Sequence, residues 1–208
     1  MTDPNFHIIT PRLYLSHIIA DNDAHCDFIV HLYNTPEFIA SIGGTPTSIT
    51  TTAAARKYIE DRFQAEHSKN GYGTYLVSLQ PDSPAISSSD SFAEVLKGCM
   101  PIGTVSLSQG LGDDAYKAPD VGFAILPELN GKGYATEAAR VLIEYAQKNL
   151  GVDAVFGFFA KGNTRSRRVI EKLGFEDRGV RSLRCFGGAE SEVWAFPEMD
   201  ADLGVYGL

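Results

Sequence analysis

Cysteine is scarce in this chain of 208 residues: Cys26, Cys99 and Cys185 stand far apart, are odd in number and form no CxxC pair. That spacing excludes a disulfide framework and a cysteine-built structural zinc, and it fits a reducing compartment, so a cytoplasmic location and no metal are the expectations. Long apolar runs are missing too. The longest candidate, Ala154 to Ala160, has the length of a strand, whereas a membrane-spanning helix needs roughly 18 residues. The first ten residues hold Asp3 but no Lys or Arg, which argues against the basic and apolar regions of a secretory signal.

Positive charge is also in deficit, with 18 Lys plus Arg against 26 Asp plus Glu and a net charge of −8. Such a surface repels phosphate backbones, so nucleic acid is disfavoured as a partner and a membrane is not expected. From Cys185 onward there is no Lys or Arg at all, while Glu190, Glu192, Glu198, Asp200 and Asp202 are present. An acidic run of this kind usually reads as a solvated tail and strand edge. The sharper alternative is a lure for a cationic substrate.

The rest of the composition, 44% hydrophobic, 21% charged and 11% aromatic, is that of an ordinary globular protein. Its length predicts one domain over residues 1–208. Arg12 to Leu15 alternates as a strand, Ala24 to Tyr33 reads as a short helix ending before Pro36, and Ala55, Ile59 and Phe63 place an amphipathic helix over Thr52 to His67. Thr74 to Leu79, Ile102 to Leu107 and Val121 to Leu126 are three strands in succession, the pattern of an antiparallel meander. Between the first two, Pro81 to Ser91 holds five Ser, two Pro and two Asp, so residues 80–99 are expected to be a loop insertion. Then the period changes. A helix follows from Tyr134 with Ala138, Val141, Leu142 and Tyr145 on one face, then a strand over Ala154 to Ala160. A second helix begins at Asn163 as N-cap and closes at Gly174, and two further strands follow near Glu176 to Val180 and Glu192 to Phe196. The fold class expected is α/β (α+β): a mixed, mostly antiparallel sheet with helices on both faces.

The segment with chemical content runs from Asp120 to Ala139. A strand enters a turn containing Gly131 and Gly133 and opens a helix, so amides without helical partners converge where the helix dipole is positive. That spot suits a diphosphate, and Lys132 adds charge; a tight turn that uses glycine for its dihedrals alone is the alternative. A dinucleotide fingerprint fits poorly. Its third glycine is replaced by Thr136, and Asp153 precedes the next strand instead of ending it. The triphosphate pattern GxxxxGK[ST] is absent.

With Thr10-Pro11-Arg12-Leu13-Tyr14-Leu15, Ile102-Gly103-Thr104, Asn130-Gly131-Lys132-Gly133-Tyr134-Ala135 and Asn163-x-x-Ser166-x-Arg168 through Phe175, in that combination and order, the sequence resembles the GCN5-related N-acetyltransferases. Within them it is similar to the branch of ribosomal-protein N-terminal acetyltransferases, over residues 10–197. The resemblance implies acetyl-CoA as donor and a primary amine as acceptor, either a small molecule or a protein N-terminus. It implies that the amides of Gly131, Lys132, Gly133, Tyr134 and Ala135 hold the diphosphate, that the backbone of Ile125 and Leu126 pairs with the pantetheine arm, and that Asn163 and Ser166 lie beside the arm. Arg165, Arg167 and Arg168 are candidates for the 3′-phosphate or for a solvated helix face.

Acetyl transfer needs a neutral amine, a base for its proton and a donor for the developing oxyanion. Asp120 opens the strand where relatives carry Glu, which makes it the candidate base; capping the preceding hairpin is its other reading. Two positions depart from the family pattern. Ile170 stands where many members have a tyrosine acid, and Asn130 replaces Gln or Arg. The missing tyrosine leaves open a non-catalytic acyl-CoA-binding module. The five histidines, His25 and His31 on the first helix among them, are expected in core or on surface, and Trp194 in core. Monomer and homodimer are both compatible with these features.

Overall fold

A computed structural model describes residues 3–81, 91–112 and 115–208. Its strands are β1 (His7–Ile9), β2 (Leu13–His17), β3 (Thr74–Leu79), β4 (Met100–Ser108), β5 (Asp120–Ile125), β6 (Phe156–Ala160), β7 (Glu176–Leu183) and β8 (Ala189–Ala195). They form one sheet in the order β1-β2-β3-β4-β5-β6-β8-β7, and every neighbouring pair is antiparallel except β5 and β6. The helices are α1 (Asp23–Tyr33), α2 (Pro36–Ser41), α3 (Thr52–Tyr58), α4 (Ala65–Asn70), α5 (Phe92–Lys97), α6 (Tyr134–Leu150) and α7 (Thr164–Leu173).

Side-chain alternation divides the core between the two faces of the sheet. On one face Leu13, Leu15, Val77, Val105, Leu107 and Val121 pack against Ala138, Ala139, Leu142, Ile143 and Ala146 of α6. On the other, Leu76, Ala124 and Leu126 meet Ile29, Leu32, Ala55, Ile59 and Phe63 of α1, α3 and the turn that follows α3. Mixed sheet, antiparallel meander and helices on both faces agree with the sequence pattern.

Several elements differ from their sequence assignment. The helix expected over Thr52 to His67 is three pieces, with a π-helical turn at Ile59–Gln64 between α3 and α4. A pattern repeating every four residues cannot register that turn, because the apolar face continues through it. Pro36 opens α2 at its first position instead of only ending α1, and Thr35 caps it through its hydroxyl. The expected loop 80–99 contains α5 at its end, while residues 82–90 lie outside the described residues. Beyond β8, Met199 and Leu203 are buried with Phe158, Val193 and Ala195, so this segment is packed on the sheet while its acids Glu198, Asp200 and Asp202 stay in solvent.

Candidate active site

Between β5 and α6 the chain turns through Gly131 (φ 78°) and Gly133 (φ 85°). A Cβ on Gly131 would meet nothing within 4 Å, so the left-handed backbone, not crowding, requires glycine there. The amides of Gly131 through Thr136 donate to no acceptor among the described residues, and the first bond of α6 runs from the Glu137 amide to the Gly133 carbonyl at 3.0 Å. Six consecutive donors therefore face outward at the positive end of a 17-residue helix. Gly131, Lys132 and Gly133 are exposed.

The turn is braced from the start of the chain. The Thr10 hydroxyl and the Arg12 amide both donate to Glu137 Oε1, at 2.6 and 3.1 Å, and Arg12 Nε donates to Oε2 at 2.7 Å. Arg12 Nη1 donates to the Lys132 carbonyl at 3.1 Å, and the guanidinium lies over the Tyr134 ring, 4.6 Å from its centroid. Burial raises the Glu137 carboxyl, but the bonds from Thr10 and Arg12 outweigh it and hold the group below the usual carboxylate range. The sequence shows Thr10, Arg12 and Glu137 as motif letters; their joint action across more than 120 residues needs the fold.

Next to the turn, β5 has an open edge. The Leu126 amide donates to the Ile102 carbonyl at 2.9 Å, and Ala124, Gly122 and Asp120 stand opposite Thr104, Ser106 and Ser108. Even-numbered residues of β5 thus turn their main-chain groups to β4, and odd-numbered residues turn theirs away. On that other side the Pro119 carbonyl accepts from the Phe156 amide at 2.9 Å, and Asp120 opposite Phe156 is the single register point with β6. Past it the two parallel strands separate. The main-chain groups of Phe123 and Ile125 then face a cleft of about 1040 Å³.

Of the residues singled out from sequence, Ile125, Gly131, Gly133, Tyr134, Ala135, Asn163 and Ser166 line this cleft. Lys132, Leu126 and Asp120 do not. For Leu126 the expectation is overturned: its amide is bonded to Ile102 and its carbonyl accepts from the Leu129 amide at 2.9 Å, so it has no edge to offer. The residue with the correct parity is Phe123. Asn163 does cap α7, its Oδ1 accepting from the Ser166 amide at 3.1 Å.

Opposite the glycine turn, Lys161, Arg165, Arg168 and Lys172 line the cleft, a cationic rim on a chain of net charge −8. Arg167 is not part of it. Both oxygens of Glu192 accept from Arg167 Nη2 at 2.7 Å, and Glu192 also accepts from the Gly162 amide and the Trp194 indole, each at 3.3 Å. Glu192 is therefore neither solvated nor a lure for substrate; it is buried and ties the β6–α7 turn to β8. Glu190, Glu198, Asp200 and Asp202 are exposed.

Asp120 sits at the apex where β5 and β6 part. Burial, and after it the neighbouring Glu66 charge, push its carboxyl up to about 7. Glu66, at the start of α4, is buried, and its Oε1 accepts from Ser108 Oγ at 2.7 Å and the Gly110 amide at 3.3 Å. Sequence reading missed it, although one signal was present. Glu66 falls seven residues after Ile59 on an apolar stripe, and a carboxylate there needs a reason. Ile170 is 1% exposed, and a Cβ on Gly157 would lie 2.7 Å from its Cδ1; the position is filled core that supplies no acid. His25 and His67 are held neutral by burial, which lowers each to about 4. Among the described residues no group of three His, Cys, Asp or Glu could hold a metal, and no helix is long and apolar enough to cross a membrane.

Residues 12–176 match the family model described as "Acetyltransferase (GNAT) domain". One curated relative is the "Putative ribosomal N-acetyltransferase YdaF" of Bacillus subtilis, 39% identical over 67 residues, which are 32% of this chain and 37% of that protein. The chain thus spans well under half of this relative's length. Among solved structures, the ribosomal-protein-S5-alanine acetyltransferase of Vibrio fischeri is 17% identical with a TM-score of 0.65, over 95% of this chain and 98% of that one. RimL, a ribosomal L7/L12 α-N-protein acetyltransferase solved with coenzyme A, is likewise 17% identical with a TM-score of 0.65, over 94% of this chain and 98% of that one.

Proposed function

The chain belongs to the GNAT acetyltransferase family, and from that premise we propose that it moves the acetyl group of acetyl-CoA to the α-amine of a peptide N-terminus or a similar small α-amine. The observation that carries this reading is the junction of six unpartnered amides at the α6 start with the open β5 edge, on one continuous cleft. The amides of residues 131–136 would receive the diphosphate. The main-chain groups of Phe123 and Ile125 would pair with the amide-bearing arm as though it were an added strand. Asn163 and Ser166 would flank the arm, and the cationic rim would face the remaining phosphate.

The arm would run along β5 toward Asp120, which lies just beyond the cleft lining where β5 and β6 meet, and the amine would enter past Thr35, Glu37 and Phe38 of that lining. Asp120 takes the proton of the amine, the freed lone pair attacks the carbonyl carbon, and an amide of the open edge stabilises the oxyanion. When the carbon–sulfur bond breaks, the CoA thiolate takes its proton from solvent, since Ile170 offers none. A base near 7 favours an α-ammonium, whose ordinary pKa is about 8, over a lysine side chain at about 10.4. The names of the ribosomal-protein acetyltransferase relatives support the same choice of acceptor. None of the relatives reported above is named as a non-catalytic binding protein, and nothing at the site favours that alternative.

The test is thiol release from acetyl-CoA with peptides whose N-terminus is free or blocked. Free α-amines should turn over while blocked peptides carrying lysine do not; no release with any amine would remove the enzyme reading. The brace has its own consequence. Arg12→Ala should leave the sheet intact but loosen the Gly131–Tyr134 turn, weakening acetyl-CoA binding about tenfold by titration calorimetry. Wild-type affinity in that variant would show that the turn holds its shape alone.

A further inference from the structure

Only Glu66 and Glu192 are buried among the described carboxylates, at 1% and 4% exposed. Their surroundings differ. Glu192 has Arg167 Nη2 at 2.7 Å from both its oxygens, whereas the nearest cation to Glu66 is Arg62 Nη2 at 3.9 Å, and its two hydrogen bonds come from neutral donors. A buried carboxylate with so distant a counter-ion is poorly explained by stability, because desolvating it is expensive.

Its location supplies the explanation. Ser108 is the cross-strand partner of Asp120, and directly opposed residues of an antiparallel pair project to the same face of the sheet. Glu66 reaches Ser108 Oγ on that face, so its carboxyl group and that of Asp120 lie on the same side of the sheet. We propose that Glu66 is a positioning residue: hooked onto Ser108 and the Gly110 amide, its carboxyl group sets the electrostatic surroundings of Asp120 from the same face of the sheet. This rests on the reading of Asp120 as the base.

Few other charges compete. Those acting on Asp120 are Glu66 from α4 and Arg62 from the π turn, while its strand neighbours on β4 and β6 are Ser108 and Phe156. Glu66 in turn faces Tyr33 of α1, Tyr58 of α3 and Tyr72, whose phenols burial holds above their ordinary range and hence neutral. His67, next along α4, is neutral as well, with Nε2 donating to the Thr74 carbonyl at 3.0 Å.

Glu66→Gln keeps the length of the side chain and an oxygen to accept from Ser108 and Gly110, and removes the charge while turning the second oxygen into an NH2 donor. The experiment follows the Asp120 carboxyl carbon by NMR through a pH titration of the full chain, with Asp120→Asn to assign the signal. The midpoint near 7 should fall by at least one unit in Glu66→Gln, a tenfold loss of proton affinity. It should rise in Arg62→Met, which removes the opposing charge. If the glutamine variant does not fold, Glu66→Met removes the same charge with an apolar side chain. An unmoved midpoint in the folded Glu66 variant overturns the proposal whatever Asp120 does in turnover. The base reading fails separately, if Asp120→Asn keeps the wild-type pH–rate profile of thiol release.

Discussion

Gly133→Asp is expected to lower acetyl-CoA affinity at least a hundredfold, about 2.7 kcal/mol, while the fold survives. The backbone at this position has φ 85°, which a residue with a Cβ adopts at a cost of about 1–2 kcal/mol. The new Cβ would find open space apart from Arg12 Nη2 at 3.5 Å, so the sheet and α6 should persist. The introduced carboxylate would sit among the amides of residues 131–136 and accept from them itself, because Asp is a favoured N-cap. A diphosphate would then meet like charge where it needs donors. Gly133→Ala separates the two causes: strain alone should weaken binding roughly tenfold or less, and the excess in the aspartate variant reports the anion site. Calorimetry or thermal shift with acetyl-CoA reads both. Undiminished affinity in Gly133→Asp would place the diphosphate elsewhere.

The elements of this site that can be read from sequence are those encoded within a few residues. Gly131 and Gly133 announce a turn before a helix, and the αL glycine at 174 (φ 93°) ends α7 where expected. Asn163 three residues before Ser166 is a cap wherever the helix lies. What stayed hidden depends on pairing over long distances. Whether Leu126 or Phe123 offers a free edge is a parity question, settled by which residue of β4 stands opposite, and a shift of one residue exchanges the answer. The brace needs residue 12 against residue 137, and the role of Glu192 needs Arg167 to fold back over β8. Glu66 was obscured for a different reason: the apolar period of its helix runs through the π turn, so the pattern gives the face but not the partner.

Asp120→Asn should separate function from stability in opposite directions. At pH 8 the loss of the base should reduce kcat/KM for an α-amine peptide by about 10²- to 10³-fold, and the acidic limb, with its midpoint near 7 in the unaltered chain, should disappear. Stability should go the other way. The carboxyl of Asp120 is raised from 3.8 to about 7 in the folded chain, so the folded state binds the proton more tightly than the unfolded one. The stabilisation this gives is fully present below the unfolded value and is lost as pH rises through about 7. Above that, the native chain holds a second negative charge beside Glu66, and asparagine removes it. Because Asp120 is only half-buried, solvent screens part of the repulsion, and a gain of about 1–2 kcal/mol at pH 8.5, or roughly 3–6 °C in Tm, is the expected size. At pH 4 the two chains should melt nearly together, since aspartic acid and asparagine are then both neutral. A Tm difference that does not grow between pH 4 and 8.5 would contradict the raised carboxyl even if turnover were lost. A difference that grows as expected, with turnover unchanged, would leave a strained carboxylate with no chemical use, and the base would then have to be sought on the wall formed by Thr35, Glu37 and Phe38.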